Sequence, residues 1–135
     1  MEKLSVSLED YIEEIYTQVL KSGQAKVTLI ADALGVKKAS VTGALNTLSD
    51  KKLINYAPYS SITLTNEGEK IAKNILQKHE NICEFFKVVL NIPEKEALET
   101  ACKMEHIVSE KMFKNMVKLT KYVKFEIKEQ IDNLY

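Results

Sequence analysis

Apolar residues recur every three or four positions along most of this chain, a spacing that predicts a mainly α-helical protein. The first such stripe lies within residues 8–21 and consists of Leu8, Tyr11, Ile12, Ile15 and Val19. Ser7 stands where a helix N-cap is expected, and Gly23 stands where the helix should end. We therefore expect an amphipathic first helix with one face in a core.

Residues 27–54 contain two short helical segments separated by a glycine, the pattern of a helix-turn-helix. We expect Thr28 to cap the first helix, Gly35 to make the turn, and the second helix to span about 39–49. Residues 53–65 alternate weakly around a proline-containing turn, which predicts a two-stranded hairpin. A hairpin in that place is the wing of a winged helix.

The second half of the chain shows helical periodicity only. A long helix begins at Thr65, and its apolar stripe includes a histidine: Ile71, Ile75, His79, Ile82, Phe86 and Val89. Pro93 separates it from a helix that carries Leu98, Cys102, Glu105 and His106. Two more helices are expected, capped by Ser109 over 110–119 and by Thr120 over 121–133.

These elements predict a winged-helix domain over residues 1–65 and an all-helical domain over residues 66–135, and 135 residues are enough for such a pair. The chain begins with carboxylates where a signal peptide would be apolar, and it has no apolar run long enough to cross a bilayer. Two cysteines are too few for a disulfide scaffold, which favours a reducing compartment. We expect a cytoplasmic protein with no membrane partner.

The second helix of the helix-turn-helix is the predicted recognition helix, and double-stranded DNA is the predicted partner. Lysines there suit phosphates or guanine, hydroxyls suit phosphates or bases, and an asparagine suits adenine. The predicted contact residues are Lys26, Lys37, Lys38, Ala39, Ser40, Thr42, Gly43 and Asn46. All 19 basic residues are lysines, so the guanidinium fork on guanine is excluded. We expect modest base readout and a strong salt dependence.

Cys102, Glu105 and His106 share one face if their segment is helical, and three such side chains are costly to bury unless they are paired or bound to a metal. His79 adds a fourth donor, and Cys83 follows it by one turn. The first helix carries two carboxylates, Asp10 and Glu13. Asp10 also suits a capping box with Ser7, and Glu13 also suits a surface position.

Several segments, in order along the chain, resemble the iron- and manganese-dependent repressors, the family of the diphtheria toxin repressor and the manganese transport regulator. They are EDYIEEIY at 9–16, VTLIADALGVKKASVTGALNTLSDKKLI at 27–54, LTNEGEKIA at 64–72, KHENICEFF at 78–86 and CKMEHIVSE at 102–110. The resemblance implies a homodimer whose winged helices bind a palindromic operator. It also implies metal held by the second half and the first helix, and repression of metal-uptake genes.

By this resemblance, the metal ligands are Asp10, Glu13, His79, Cys102, Glu105 and His106. Asp10 and Glu13 are similar to the manganese type, whereas Cys102 is similar to the iron type. Cys83 replaces a carboxylate usual in both types and is an extra candidate for metal binding or redox chemistry. The expected metal is Fe²⁺ or Mn²⁺, and the donor set also admits Zn²⁺, Co²⁺ or Ni²⁺ in vitro.

Two other functions compete with this interpretation. A metalloenzyme is disfavoured, because HENIC at 79–83 lacks the second histidine of H-E-x-x-H and no other catalytic motif occurs, so we expect no enzyme activity. A metal-independent winged-helix regulator, responding to a small molecule or to thiol oxidation, is the alternative that the two cysteines keep open.

Overall fold

The computed structural model describes residues 4–57 and 61–135, and its mainly α-helical architecture confirms the predicted fold class. The chain divides into two compact units, Met1–Ile75 and Leu76–Tyr135. Helix α4, Asn66–Val88, crosses the point of division, so the predicted domain boundary after residue 65 coincides with the start of that helix.

The first unit begins with three helices: α1 (Val6–Ser22), α2 (Val27–Leu34) and α3 (Lys38–Asp50). Helix α1 starts earlier than predicted because Ser5, not Ser7, is its N-cap: the Ser5 hydroxyl accepts a hydrogen bond from the Leu8 N–H at 3.3 Å. The predicted stop is confirmed, since Gly23 ends the helix in the left-handed region.

The helix-turn-helix is formed by α2 and α3, and Gly35 makes the turn with φ of 66°, a conformation that favours glycine. One face of α3 packs inward through Val41, Leu45 and Leu48, all completely buried. Helix α1 packs against both α2 and α3. The apolar periodicity of the sequence therefore specifies this three-helix core.

Thr28 was expected to cap helix α2, but the N-cap is Lys26. The Lys26 backbone N–H is bonded by a side chain of α1. The Gln18 side chain of α1 accepts a hydrogen bond from the Lys26 N–H at 3.1 Å. Its amide also donates to Glu14 at 3.1 Å. A buried glutamine, 8% exposed, thus fixes the start of the helix-turn-helix on α1.

The wing follows as an antiparallel pair, β1 (Ile54–Asn55) and β2 (Thr63–Leu64), which confirms the predicted hairpin. Ile54 pairs with Leu64 in its register, and Asn55 pairs with Thr63. An isolated bridge between Ala25 and Ile62 extends the ladder. Part of the predicted turn, residues 58–60, lies outside the described residues.

The second unit contains the end of α4 and three further helices: α5 (Glu94–Met104), α6 (Glu110–Glu126) and α7 (Lys128–Asp132). Its apolar core is formed by Ile82, Cys83, Phe86, Ala97, Ala101 and Val108. Within the described ranges, no helix combines the length and the apolar character that a membrane crossing needs.

The predicted break between the last two helices at Thr120 was wrong, whereas the predicted cap at Ser109 was correct. Ser109 does cap α6, accepting from the Met112 N–H at 3.2 Å. Thr120 does not start a new helix, because it lies inside α6, and its buried hydroxyl donates to the Met116 carbonyl at 2.7 Å. The helix instead ends at Glu126, and the next begins after Ile127.

Candidate metal centre and DNA-facing helix

Helix α5 ends at Met104, so Glu105 and His106 lie in the turn that follows it rather than on the helix that the sequence predicted. Glu105 keeps the helical spacing from Cys102, since its N–H still donates to the Ala101 carbonyl at 3.0 Å. The predicted helical spacing is therefore kept from Cys102 to Glu105, although the helix itself stops before both Glu105 and His106.

Three predicted donors come together within the second unit. His79 from α4, Cys102 from α5 and Glu105 from the turn each offer one ligand atom, and these atoms lie within 4.8 Å of one another. Donors on opposite sides of one ion are separated by about 4 to 4.6 Å, because each metal–ligand bond measures roughly 2.0–2.3 Å. The nitrogen, sulfur and oxygen donors therefore fit a divalent transition-metal ion in both spacing and type.

Glu105 is the buried carboxyl group of this cluster. The residue is only 3% exposed, and its carboxylate lies 3.5 Å from Nε2 of His106. Both side chains are thus removed from water, which costs free energy unless hydrogen bonds, a counter-charge or a metal compensates. A carboxylate and an imidazole held side by side in this way suit metal coordination.

The orientation of His79 is set by a backbone group. Its Nε2 lies 3.3 Å from the Leu98 carbonyl on α5, and a carbonyl oxygen can only accept. In a neutral ring this contact places the proton on Nε2 and leaves the lone pair on Nδ1. Hydrogen bonding of one ring nitrogen to a carbonyl is the arrangement that supports coordination by the other.

Cys83, the predicted extra donor, is placed in the apolar core of the second unit and does not belong to the group of His79, Cys102 and Glu105. Burial raises the pKa of its thiol, an effect that nearby Lys87 opposes and that Glu94 and Glu84 reinforce. Cys102 is exposed, so the two cysteines occupy contrasting environments.

Asp10 and Glu13 lie on α1 in the first unit, and both are partly buried. Ser5 caps this helix and Ser7 lies inside it, so the capping box that competed for Asp10 does not form. Asp10 therefore remains a candidate ligand, and so does the partly buried Glu13.

The predicted DNA-contact residues are all exposed, either along α3 and its N-cap or at the start of α2. The Thr42 hydroxyl donates within the helix to the Lys38 carbonyl at 3.1 Å. At Gly43 an added Cβ would meet no atom within 4 Å. The outward face of α3 is thus polar, carries lysine and leaves open space at Gly43, which is compatible with a helix that enters a DNA groove.

Two residues of the second unit make contacts near the candidate metal centre that the sequence did not predict. Leu98 was expected to be an apolar helix residue, but its side chain is 44% exposed and its carbonyl contacts His79. Lys78 donates to the Val108 carbonyl beside the metal centre at 3.2 Å. Backbone acceptors leave no signal in a sequence, and a lysine on a helix resembles any surface lysine.

Comparison with known proteins agrees with this architecture. Residues 3–62 match the family model described as iron dependent repressor, N-terminal DNA binding domain, and residues 65–130 match iron dependent repressor, metal binding and dimerisation domain. An uncharacterized HTH-type transcriptional regulator of Methanocaldococcus jannaschii is 39% identical over 114 residues, which cover 84% of this chain and 91% of that protein.

The HTH-type transcriptional regulator MntR of Bacillus subtilis is 34% identical over 103 residues, covering 76% of this chain and 72% of that protein. Among solved structures, the manganese regulator SloR superposes with a TM-score of 0.73 at 26% identity; the match covers 85% of this chain and 54% of that one. The chain thus spans about half the length of this structural neighbour. From both domains and from these relatives, the chain belongs to the iron-dependent repressor family.

Proposed function

We propose that this protein is a metal-dependent DNA-binding transcriptional repressor that controls genes of metal-ion homeostasis. The observation that carries the proposal is the convergence of His79, Cys102 and Glu105 donor atoms within 4.8 Å. The same chain presents the exposed α3 of a winged helix-turn-helix. A metal sensor and a DNA-binding module are thereby joined in one polypeptide.

The proposed ligands are His79, Cys102, Glu105, His106, Asp10 and Glu13. Support for the first four is the burial of Glu105, its contact with His106 and the tautomer of His79. Support for Asp10 and Glu13 is the family resemblance, together with their partial burial and the loss of the competing cap. Bound metal would compensate the buried carboxylate charge.

The proposed metal is Fe²⁺ or Mn²⁺. Oxygen and nitrogen ligands suit both ions, and the Cys102 thiolate adds a preference for iron. The manganese regulator among the structural relatives supports Mn²⁺. Zn²⁺, Co²⁺ and Ni²⁺ should bind in vitro, because intrinsic affinities at such sites generally exceed those of iron and manganese.

The proposed partner is double-stranded DNA bearing a palindromic operator, contacted by a homodimer in the cytoplasm. Two-fold symmetry of the protein would match two half-sites spaced near whole helical turns. Lys26, Lys37 and Lys38 would neutralise phosphates, while Ser40 and Asn46 would face base edges. Metal binding would shift the protein toward the conformation that matches the operator.

The competing functions are weaker. Family membership is with transcriptional regulators, which are not enzymes, and the MntR and SloR relatives favour a metal-dependent function over the metal-independent alternative.

The cysteine environments give a direct test of the metal centre. Exposed Cys102 should be alkylated quickly, and bound metal should slow that reaction. Buried Cys83 should react slowly with or without metal and is the internal control.

Glu105→Gln tests the function itself. This change keeps the shape of the side chain and removes a charged donor, so we expect metal affinity to fall by about 100-fold and metal-dependent DNA binding to disappear. Glu110→Gln is the matched control, because Glu110 is an exposed carboxylate of α6 paired only loosely with Lys114 at 4.0 Å. Isothermal titration with Mn²⁺ and a gel-shift assay measure both effects. An unchanged metal response in Glu105→Gln would refute the proposed function.

A further inference from the structure

The turn that carries Glu105 and His106 has little structure of its own. It joins the end of α5 at Met104 to the start of α6 at Glu110. Its backbone is closed by two hydrogen bonds, since the Ile107 and Val108 N–H groups both donate to the Met104 carbonyl at 3.0 Å. Beyond these bonds, the turn is held against the rest of the second unit by Val108, which is buried in the apolar core, and by side-chain contacts.

One cation makes such a contact. The Lys78 ammonium donates to the Val108 carbonyl at 3.2 Å, a charge-assisted hydrogen bond from α4 to the end of the turn. The same ammonium lies 5.8 Å from the centre of the Phe113 ring on α6, within cation–π range. A single side chain thus joins α4, the turn and α6.

The place of this lysine on α4 is next to a proposed ligand. Lys78 directly precedes His79, and His79 contacts the Leu98 carbonyl on α5. Two consecutive residues of α4 therefore bond two backbone carbonyls, one on α5 and one in the turn. Because the three donors come from α4, α5 and the turn, these two bonds act on their spacing, together with the packing of Val108 in the apolar core.

We propose that Lys78 is a positioning residue of the metal centre, which holds the turn of Glu105 and His106 at coordinating distance from His79. This inference rests on the proposed metal-dependent function. Electrostatics alone gives the opposite expectation, because a positive charge near a cation site repels the ion and its removal would tighten binding. The sign of the effect thus separates positioning from simple charge repulsion.

The test is a Co²⁺ titration of the full chain, followed by the d–d bands and by the thiolate-to-metal charge-transfer band of Cys102. Lys78→Met keeps most of the aliphatic stem and removes the donor; we expect affinity to fall roughly tenfold and the d–d bands to change shape, as loss of an orienting partner does. Lys78→Arg can still donate to the Val108 carbonyl and should largely restore both affinity and spectrum.

Lys87→Met is the matched control, because it removes the same charge from the same helix, where Lys87 contacts Glu94 at 3.3 Å. It should bind Co²⁺ as the wild type does. If Lys78→Met does not fold, as judged by circular dichroism, Lys78→Gln takes its place with the same expectation. Wild-type affinity and spectrum in the neutral Lys78 variant, or tighter binding, would overturn the positioning role alone. Absence of Co²⁺ binding by the wild type would instead overturn the proposed function and this inference with it.

Discussion

Helix α3, the proposed DNA-binding helix, and the proposed metal centre are built in different ways. Helix α3 is a regular helix whose inward face is three buried apolar residues and whose outward face is exposed and polar. The metal centre instead combines donors from α4, α5 and a turn, and it buries the carboxylate of Glu105. The first is specified by local periodicity, whereas the second depends on tertiary contacts of individual side chains.

The two regions should also differ in what they cost the stability of the fold. Exposed residues on α3 cost the fold little and are available to a partner. Burial of Glu105 and His106 costs stability that a bound ion would return, because a ligand that binds only the folded state stabilises it. The DNA-facing helix should therefore tolerate substitution in the fold, while the metal centre should couple stability to metal.

The largest expected effect on stability is at Gly68 in the first unit, where tertiary packing rather than local periodicity requires a glycine. A Cβ added at Gly68 in α4 would overlap the backbone carbonyl oxygen of Leu53, which cannot move as a flexible side chain would. That segment is also held by Thr65, whose hydroxyl bonds the Lys52 carbonyl at 2.8 Å. We expect Gly68→Ala to lower the free energy of unfolding by about 3 kcal/mol, measured by urea denaturation. A loss near zero would show that the backbone yields there.

Gln18 tests how firmly the helix-turn-helix is held on α1. Gln18→Leu removes the acceptor for the Lys26 N–H and leaves that group without its buried partner. We expect a loss of about 1–2 kcal/mol in thermal or urea unfolding. Gln77→Leu, at an exposed position of α4, is the control and should change stability little. Equal effects of the two changes would contradict the capping role of Gln18.

Replacement of Gly43 in α3 is expected to change stability in the opposite direction. It lies inside α3, and a Cβ there would meet nothing within 4 Å, so the fold itself does not require a glycine. We expect Gly43→Ala to raise stability by about 0.5–1 kcal/mol, because alanine restricts the unfolded chain and favours helix. If α3 approaches DNA closely at this point, the same variant should bind operator DNA more weakly. Unchanged DNA affinity would remove Gly43 from the interface.

The sequence predicted much of the fold because its helices have clear apolar stripes and glycine stops. Three capping predictions failed for a common reason: Ser7, Thr28 and Thr120 are good caps, but such residues also occur inside helices. Thr120 illustrates this, since its hydroxyl bonds the Met116 carbonyl one turn earlier. Local sequence does not reveal which of two neighbouring polar residues supplies the cap.

For the proposed metal centre, residue types pointed to candidate donors in the second unit, and three of these side chains lie close together. The end of α5 before Glu105 was not predictable, because no glycine or proline marks it. The contact of His79 with the Leu98 carbonyl and that of Lys78 with the Val108 carbonyl were not predictable either. Their acceptors are backbone atoms, which every residue carries alike.

Control of DNA binding by metal at this centre is the core of the proposed function. It is tested most directly with anaerobic, metal-stripped protein and DNA from upstream of its own gene, at fixed salt, with Fe²⁺, Mn²⁺ and Zn²⁺ added separately. We expect Fe²⁺ or Mn²⁺ to tighten binding by about tenfold or more, a coupling of about 1.4 kcal/mol, and the stronger ion to identify the cognate metal. Equally tight binding by the fully chelated protein would contradict the claim.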